Sequence, residues 1–586
     1  MPDSFFSRMA SALGVNGNGD MRMEARSLVN RALKGDEVSR QHLRDLIDGS
    51  PEDLEVALRE ASKDAGMHNR ARRSAVRTHA ATATATATAP APATGISPHW
   101  ESRETYEGDQ DVVVMQPLRL YEPETLDDLV FIVKKAEELG HTVKALGAGC
   151  SYSGANATSG FLVDMEGLDA MLPIDAAALH PGDHLALRRF QGGARLDQIS
   201  EHLKQDDLAL ENMGGLLQLS FVGAATTGTH GSGVRLGNMA SQIVSMVVVG
   251  SGGTVYRVEP THGITNPSGW DEPLVDHLKQ NDELFHSLRV SVGALGLIYS
   301  VTVRTVPLTN LREVRWEMGW QEARERLQNR TDLDHQDMVE IYVNPYRTRD
   351  DGDRTALVTI RKSTKKEPVG SGGNRRCLAE MLERFPVAAD LAMLYLNLFP
   401  GRTPGFIDTA LRGLTDAEYI APRYEVLADS EHSNGFAMEL AFSMKDDSYL
   451  DHIDEILDLL ERHSGEGQQY VNMLSVRFVA ASDDYLSMHY DADGHASCTV
   501  EFPTLSATTG VRESFRRIQR TMLARGARPH WAMEFGTLTG NGGLLDAMYP
   551  ELEKWKNAHR LFDATGVFAN GFTDRMGFTV PAYSRD

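Results

Sequence analysis

The chain has 586 residues, with 82 acidic against 59 basic, giving a formal charge of −23; 41% of residues are hydrophobic and 24% charged. With a mean hydropathy of −0.32, these proportions describe a globular chain and exclude a disordered or membrane-embedded one. The acidic excess argues against nucleic acid or an anionic membrane as partner. Length predicts about two to four domains.

The three cysteines, Cys150, Cys377 and Cys498, are scattered. They have no zinc-ligand spacing and are too few for a disulfide scaffold, so a reducing, cytoplasmic location is expected. The first twenty residues lack the pattern of a secretory signal, and no stretch predicts a membrane span. The nearest candidate, Phe385 to Pro400, carries Asp390 and Asn397 and predicts a buried helix; the alternative is an apolar entrance to a substrate cavity.

Residues 1–66 predict a small helical extension. Ser50 is a cap, Pro51 stands at the first helical position, acids follow in the first turn, and Leu54, Leu58 and Ala61 share a face. Its function is not legible, and the bland expectation is an accessory or docking element. Residues 67–97 begin basic and pass into an Ala/Thr/Pro tract with little to bury, which predicts a flexible linker.

From residue 98 the pattern becomes mixed. Val112–Met115 reads as a short strand. Thr125 opens a helix with Leu126, Leu129, Ile132, Val133 and Ala136 on one stripe and Gly140 as its stop. Strands follow at 161–164, 243–249 and 298–303, with helices at 195–205 and 282–290. This alternation predicts α+β or α/β layers around a sheet.

Two glycine-rich segments carry candidate chemistry. Gly147-Ala148-Gly149-Cys150-Ser151-Tyr152 follows a strand, and its small residues allow main-chain N–H groups to approach a phosphate. It lacks a third glycine and a following helix, so it is not a dinucleotide fingerprint; by itself it also suits a tight turn. The second segment follows Ser220 and contains Gly223, Ala224, Thr227, Gly228, His230, Gly231, Ser232 and Gly233. Such a run can wrap an anionic or flat ligand. His230 reads first as a structural histidine, since no second ligand sits at metal spacing; no metal is expected.

Together, GAGCSYSG, VGAATTGTHGSG and SVGALGLIYSVTVR resemble the FAD-binding domain of the vanillyl-alcohol oxidase superfamily. VRFVAASDDYLS, RPHWAME, MYPELEKW and LFDATGVFANGFTDRMG are similar to its aldonolactone and alditol oxidase branch. The resemblance spans roughly residues 98–580. It implies an α+β fold: a two-lobed FAD-binding domain of the PCMH type (98–307), a cap domain with an antiparallel sheet flanked by helices (308–540), and a segment returning to the first domain (541–586). The residues implied at the cofactor are Gly147, Ala148, Gly149, Cys150, Ser151, Tyr152, Ser220, the second segment as named above, and Ile298. The implied reaction is hydride transfer from a substrate carbinol carbon to flavin N5, followed by reoxidation by oxygen or another acceptor.

Departures from the family bear on the substrate. Many members attach the flavin through a histidine where Cys150 stands. Non-covalent FAD is therefore expected, with a cysteinyl link as the alternative. The arginine of the polyol-type site is matched by Arg477, but its glutamate partner is Ser475 and its lysine is Met533. Ser220 and His530 complete the implied catalytic set with Arg477. Loss of two polar anchors predicts a pocket more apolar than a sugar site. Glu501 and Glu534 are the candidate replacement acids, and an ion pair with Asp483 or Asp484 is the structural alternative for Arg477.

The leading expectation is an FAD-dependent oxidoreductase acting on a C–OH of a small molecule: a sugar lactone, a polyol or a less polar alcohol. The alternatives are a flavin-dependent oxidative decarboxylase or dehydrogenase of a carboxylate gripped by Arg477, and a flavin-binding scaffold without catalysis.

Overall fold

The computed structural model describes residues 98–101, 106–107, 114–182, 186–370, 396–397, 399–415, 418–428, 435–505 and 508–579. The expected N-terminal extension, the linker, Cys377 and most of the 385–400 stretch lie outside them.

Residues up to about 307 form two lobes. The first is a sheet in the order Trp100–Glu101, Arg119–Tyr121, Phe161–Asp164, Val143–Leu146. It is covered by the helix Leu126–Leu139, whose predicted stripe is the buried one. Thr125 caps this helix in a reciprocal capping box, and Gly140 ends it at φ 71°, as the sequence predicts. The second lobe is a sheet in the order His277–Gln280, Val255–Glu259, Ile243–Val249, Leu297–Arg304, Leu187–Gln191, Met171–Leu172. The helices Leu196–Gln205 and Asp282–Arg289 belong to it.

The remainder is dominated by a large sheet, in the order Tyr419–Pro422, Asn310–Gly319, Arg354–Thr364, Met338–Arg347, Leu474–Val479, Ser497–Leu505, Gly435–Ser443, Arg528–Pro529. Every pairing within it among the described residues is antiparallel. Alternation divides its faces. Ile341, Val343, Val358, Met438, Leu440, Leu474, Val476, Phe478, Val500 and Phe502 point into one core. The helices Trp320–Gln328, Ser448–Gly465 and Val511–Leu523 close that side through Trp320, Leu327, Ile453, Leu457, Phe515 and Ile518. At about 25 cal/mol per Å² of apolar surface, this packing fixes the strands, so the residues between the core positions are forced onto the opposite face. That face looks toward the two lobes. After it, Leu552–Phe562 and Gly571–Met576 return to the lobes, where the Trp555 indole N–H donates to Val290 O at 3.2 Å.

Candidate active site

A cavity of about 440 Å³ lies between the lobes and the large sheet. Its lobe side is built from glycines: Gly147, Gly149, Gly192, Gly214, Gly215, Gly223, Gly293 and Gly296. At Gly147 a Cβ would stand 2.2 Å from Ser220 Oγ, so the first and second segments touch only because residue 147 has no side chain. Gly149 has φ 75°, the left-handed region that favours glycine. The first segment is tied to the C-terminal HWA motif, with Tyr152 N–H donating to Ala532 O at 2.7 Å.

Of the cofactor positions implied by sequence, Gly147, Ala148, Gly149, Cys150, Ser151, Tyr152, Ser220, Gly223, Ala224, Thr227, His230 and Ile298 line the cavity. Gly228, Gly231, Ser232 and Gly233 do not. The second segment follows the wall past its single helical turn, Phe221–Ala225, as far as His230 and then leaves it. Its end is instead built into the protein. A Cβ on Gly231 would meet Asn212 Oδ1 at 2.1 Å, and the Ser232 hydroxyl donates to Val339 O.

The wall also holds polar atoms left unsatisfied by the protein. Asn156 Oδ1 and Ser291 Oγ are buried there without hydrogen-bond partners. Lys144, fully enclosed, donates from Nζ to Gly293 O at 3.0 Å. Burial lowers its pKa to about 8, against the pull of Asp563 and Asp574. Glycine-exposed main chain, orphaned polar groups and a buried cation fit a large polar anionic cofactor, and these residues would hold the FAD that the sequence implies.

The opposite wall is a ladder of charge on the sheet face. Arg315 Nε lies 3.0 Å from Glu313. Arg361 bridges Glu313 at 2.7 Å and Glu340 at 3.0 Å. Arg477 bridges Glu340 at 2.7 Å and Glu501 at 3.1 Å. The register explains the order: Glu313 faces Arg361, Glu340 faces Arg477, and Ser475 faces Glu501 across adjacent strands. Three guanidinium groups alternate with three carboxylates, so the buried charges compensate one another.

The Glu340 carboxylate is desolvated, yet Arg477 and Arg361 hold it well below the usual range. Glu501 ends the ladder with one guanidinium contact. Burial raises its pKa to about 7, and the Glu439 and Glu340 carboxylates add to the effect of burial against Arg477.

Beyond the ladder, His230 Nδ1 donates to Gly231 O at 2.7 Å, which turns Nε2 toward Glu439 Oε1 at 3.1 Å. Burial opposes the imidazolium, but the Glu439 charge outweighs it and the His230 pKa is raised. The two form an enclosed ion pair. His530 is different. Its Nδ1 accepts the Ala532 N–H at 3.1 Å, which leaves the ring proton on Nε2, 3.3 Å from Thr229 Oγ1. Burial lowers its pKa to about 4, so at neutral pH it is an uncharged N–H donor at the cavity wall.

Several sequence expectations are corrected here. The expected loss of polar anchors holds for only part of this wall: Arg315, Glu439, Ser475, Arg477, Glu501 and His530 line one end of it, and Met473, Pro503 and Leu505 the other. Arg477 does not pair with Asp483 or Asp484; Asp484 is held by Arg289 at 2.6 Å and by His286. Glu534, a candidate replacement acid, lies outside the strands and pairs with Arg512 at 3.2 Å. Sequence reasoning missed Arg315, Glu340, Glu439, Lys144, Asn156 and Ser291. Glu340 and Glu439 carried a signal: each is a charged residue at an alternate position of a strand otherwise rich in apolar residues, such as GFAMELAFS.

Comparison with known proteins bears on the family and the fold. Residues 301–576 match the family described as D-arabinono-1,4-lactone oxidase, and residues 117–259 match the FAD binding domain family. The chain is 27% identical to an L-gulono-1,4-lactone dehydrogenase of Mycobacterium tuberculosis, over 82% of this chain and 99% of that protein. It is 22% identical to a D-arabinono-1,4-lactone oxidase of Yarrowia lipolytica, over 79% and 95%. It is 21% identical to the L-gulonolactone oxidase of Mus musculus, over 78% and 95%. Among solved structures, a solvent-stable cholesterol oxidase shares the fold, with a TM-score of 0.65 at 15% identity over 81% of this chain and 97% of that one.

Proposed function

Starting from a chain that belongs to the aldonolactone oxidase family of FAD-binding enzymes, we propose that it oxidises a C–OH of a neutral hydroxylated molecule, a lactone or polyol rather than an acid. The observation that supports this most is the ladder. Arg477 stands between the Glu340 and Glu501 carboxylates, and Glu439 faces the same cavity. A carboxylate substrate would meet an arginine already neutralised and further carboxylates around it. A hydroxyl group finds acceptors in Glu501 and in Ser475, whose own proton goes to Glu340 at 3.1 Å, and donors in Arg477 and His530.

Bound FAD supplies the hydride acceptor, and oxygen or another acceptor reoxidises it. The chain does the rest. Glu501 takes the hydroxyl proton, its raised pKa suiting a base at neutral pH. Arg477 orients the substrate oxygen and steadies the Glu501 anion. His530 donates from Nε2 without adding charge. FAD is held non-covalently, with Cys150 Sγ turned to its own loop at 3.4 Å from Ala148 O.

Steady-state turnover with a dye acceptor tests the choice of substrate. L-Gulono-1,4-lactone is expected to exceed its ring-opened aldonate in kcat/KM by at least about a hundredfold, equivalent to about 2.7 kcal/mol. Equal or reversed preference would favour a carboxylate substrate.

A further inference from the structure

The sheet face that borders the cavity is graded along its strands. Reading alternate residues toward one end, Arg477 is followed by Ser475 and Met473, Glu501 by Pro503 and Leu505, and Glu439 by Ala437. All of these line the cavity. At about 3.3 Å per strand residue, the step from Glu501 to Leu505 is about 13 Å. One end of this wall is therefore ionic and the other hydrocarbon.

The apolar end is continuous with the protein's own apolar clusters. Met473 belongs to a buried group with Tyr346, Ile407, Leu411 and Leu414, and Leu414 borders the cavity too. Leu505 packs against Leu396 and Val471. Polar side chains at that end include Asn472 and Thr504, which are engaged locally, and Tyr342, which packs against the Met473 group. Asn472 Oδ1 accepts the Met473 N–H at 2.9 Å, and the Thr504 hydroxyl donates to Thr508 at 3.3 Å. A wall of this kind matches a ligand with the same gradient, and a compact sugar lactone has none. Water held against Met473, Pro503 and Leu505 would be released by an apolar chain, which is the favourable direction.

Resting on the C–OH oxidation proposed above, we infer that the substrate is amphiphilic: a neutral hydroxylated head between Glu501 and Arg477, with a hydrocarbon substituent running along Met473, Pro503 and Leu505 toward Leu414.

The holoenzyme tests this with matched probes. L-Gulono-1,4-lactone and its 6-O-octanoyl ester are compared as substrates, and glucose and octyl β-D-glucoside as ligands by calorimetry. The ester is expected to exceed the free lactone in kcat/KM by at least about tenfold, and octyl glucoside to bind at least about tenfold tighter than glucose. Leu505→Gln, and separately Met473→Gln, are expected to bring both ratios close to unity; thermal unfolding identifies a variant that has lost its fold, and the wild-type ratios decide in that event. Turnover of the lactone with no gain from the octanoyl chain overturns the amphiphile and leaves C–OH oxidation standing. No turnover of either lactone, with octyl glucoside still preferred, keeps the amphiphile and removes the oxidation reading. Ratios that stay high in both folded variants, or a change in FAD affinity in their place, overturn the assignment of this wall to the substrate.

Discussion

At the scale of single residues, the site depends on where a proton resides. Glu501 titrates near 7, because burial and the neighbouring Glu439 and Glu340 carboxylates outweigh Arg477. As the base, it makes kcat/KM rise as pH passes upward through about 7. In Glu501→Gln that limb should vanish and the rate fall by about 10²–10⁴-fold, as a pH–rate profile would show; an unchanged limb would place the base elsewhere. The same group has a stability signature of definite sign. Its folded pKa lies above its unfolded value, so the folded state gains from the retained proton at low pH and loses that gain as pH rises toward and past 7. The fall in Tm between pH 5 and 8 should be smaller in Glu501→Gln. Gly147 offers a second test. A Cβ there would stand 2.2 Å from Ser220 Oγ, so Gly147→Ala should weaken FAD binding by at least about tenfold, or about 1.4 kcal/mol. Adding Ser220→Ala removes the hydroxyl and should restore part of the loss, both read by fluorescence titration of the apoprotein.

At the scale of elements, the strands act as a ruler. Core residues such as Leu474, Val476 and Phe478 are fully buried and hold Ser475 and Arg477 on the cavity face. The same alternation brings charges from adjacent strands into register as a ladder. Removing an inner carboxylate takes one buried partner from two guanidinium groups: Glu340→Ala breaks the ladder between Arg361, which keeps Glu313, and Arg477, which keeps Glu501. It should cost about 3–5 kcal/mol, measured as a lower urea midpoint; a loss below about 1 kcal/mol would mean that the ladder relaxes. Much of this scale was legible in the sequence. The Thr125 cap, the Gly140 stop and the strands at 161–164 and 243–249 follow from local rules. The partners of Arg477 were legible only in part: Glu501 stood among the candidate replacement acids, but its contact with Arg477 did not follow from the sequence. Ser475 suggested a lost carboxylate, but its neighbour across the sheet is Glu501, and cross-strand register depends on pairings between segments far apart in the chain. Glu340 was hidden for the same reason: it lies 137 residues from the arginine it touches.

At the scale of the whole molecule, function arises from opposing two unlike walls. The lobes present glycine and main chain; the large sheet presents ionised side chains. Neither wall makes a site alone, and the C-terminal return is fastened to the lobes through Trp555 to Val290 and Asn570 to the main chain of Gly154, Ala155 and Ala157. FAD should therefore raise the Tm of the apoprotein in a concentration-dependent way. Acid precipitation of the holoprotein should leave the yellow colour in the supernatant; a yellow pellet that becomes colourless in Cys150→Ala would instead establish a cysteinyl link. Among the described residues, no helix is long and apolar enough to cross a membrane.

The most direct measurement of the central claim is the anaerobic half-reaction. Holoenzyme is mixed with a neutral hydroxylated lactone, then with the aldonate of the same sugar, and the visible flavin band is followed. The account predicts bleaching by the lactone and little or none by the aldonate. Bleaching by the aldonate alone, or by neither while FAD is firmly bound, would contradict it.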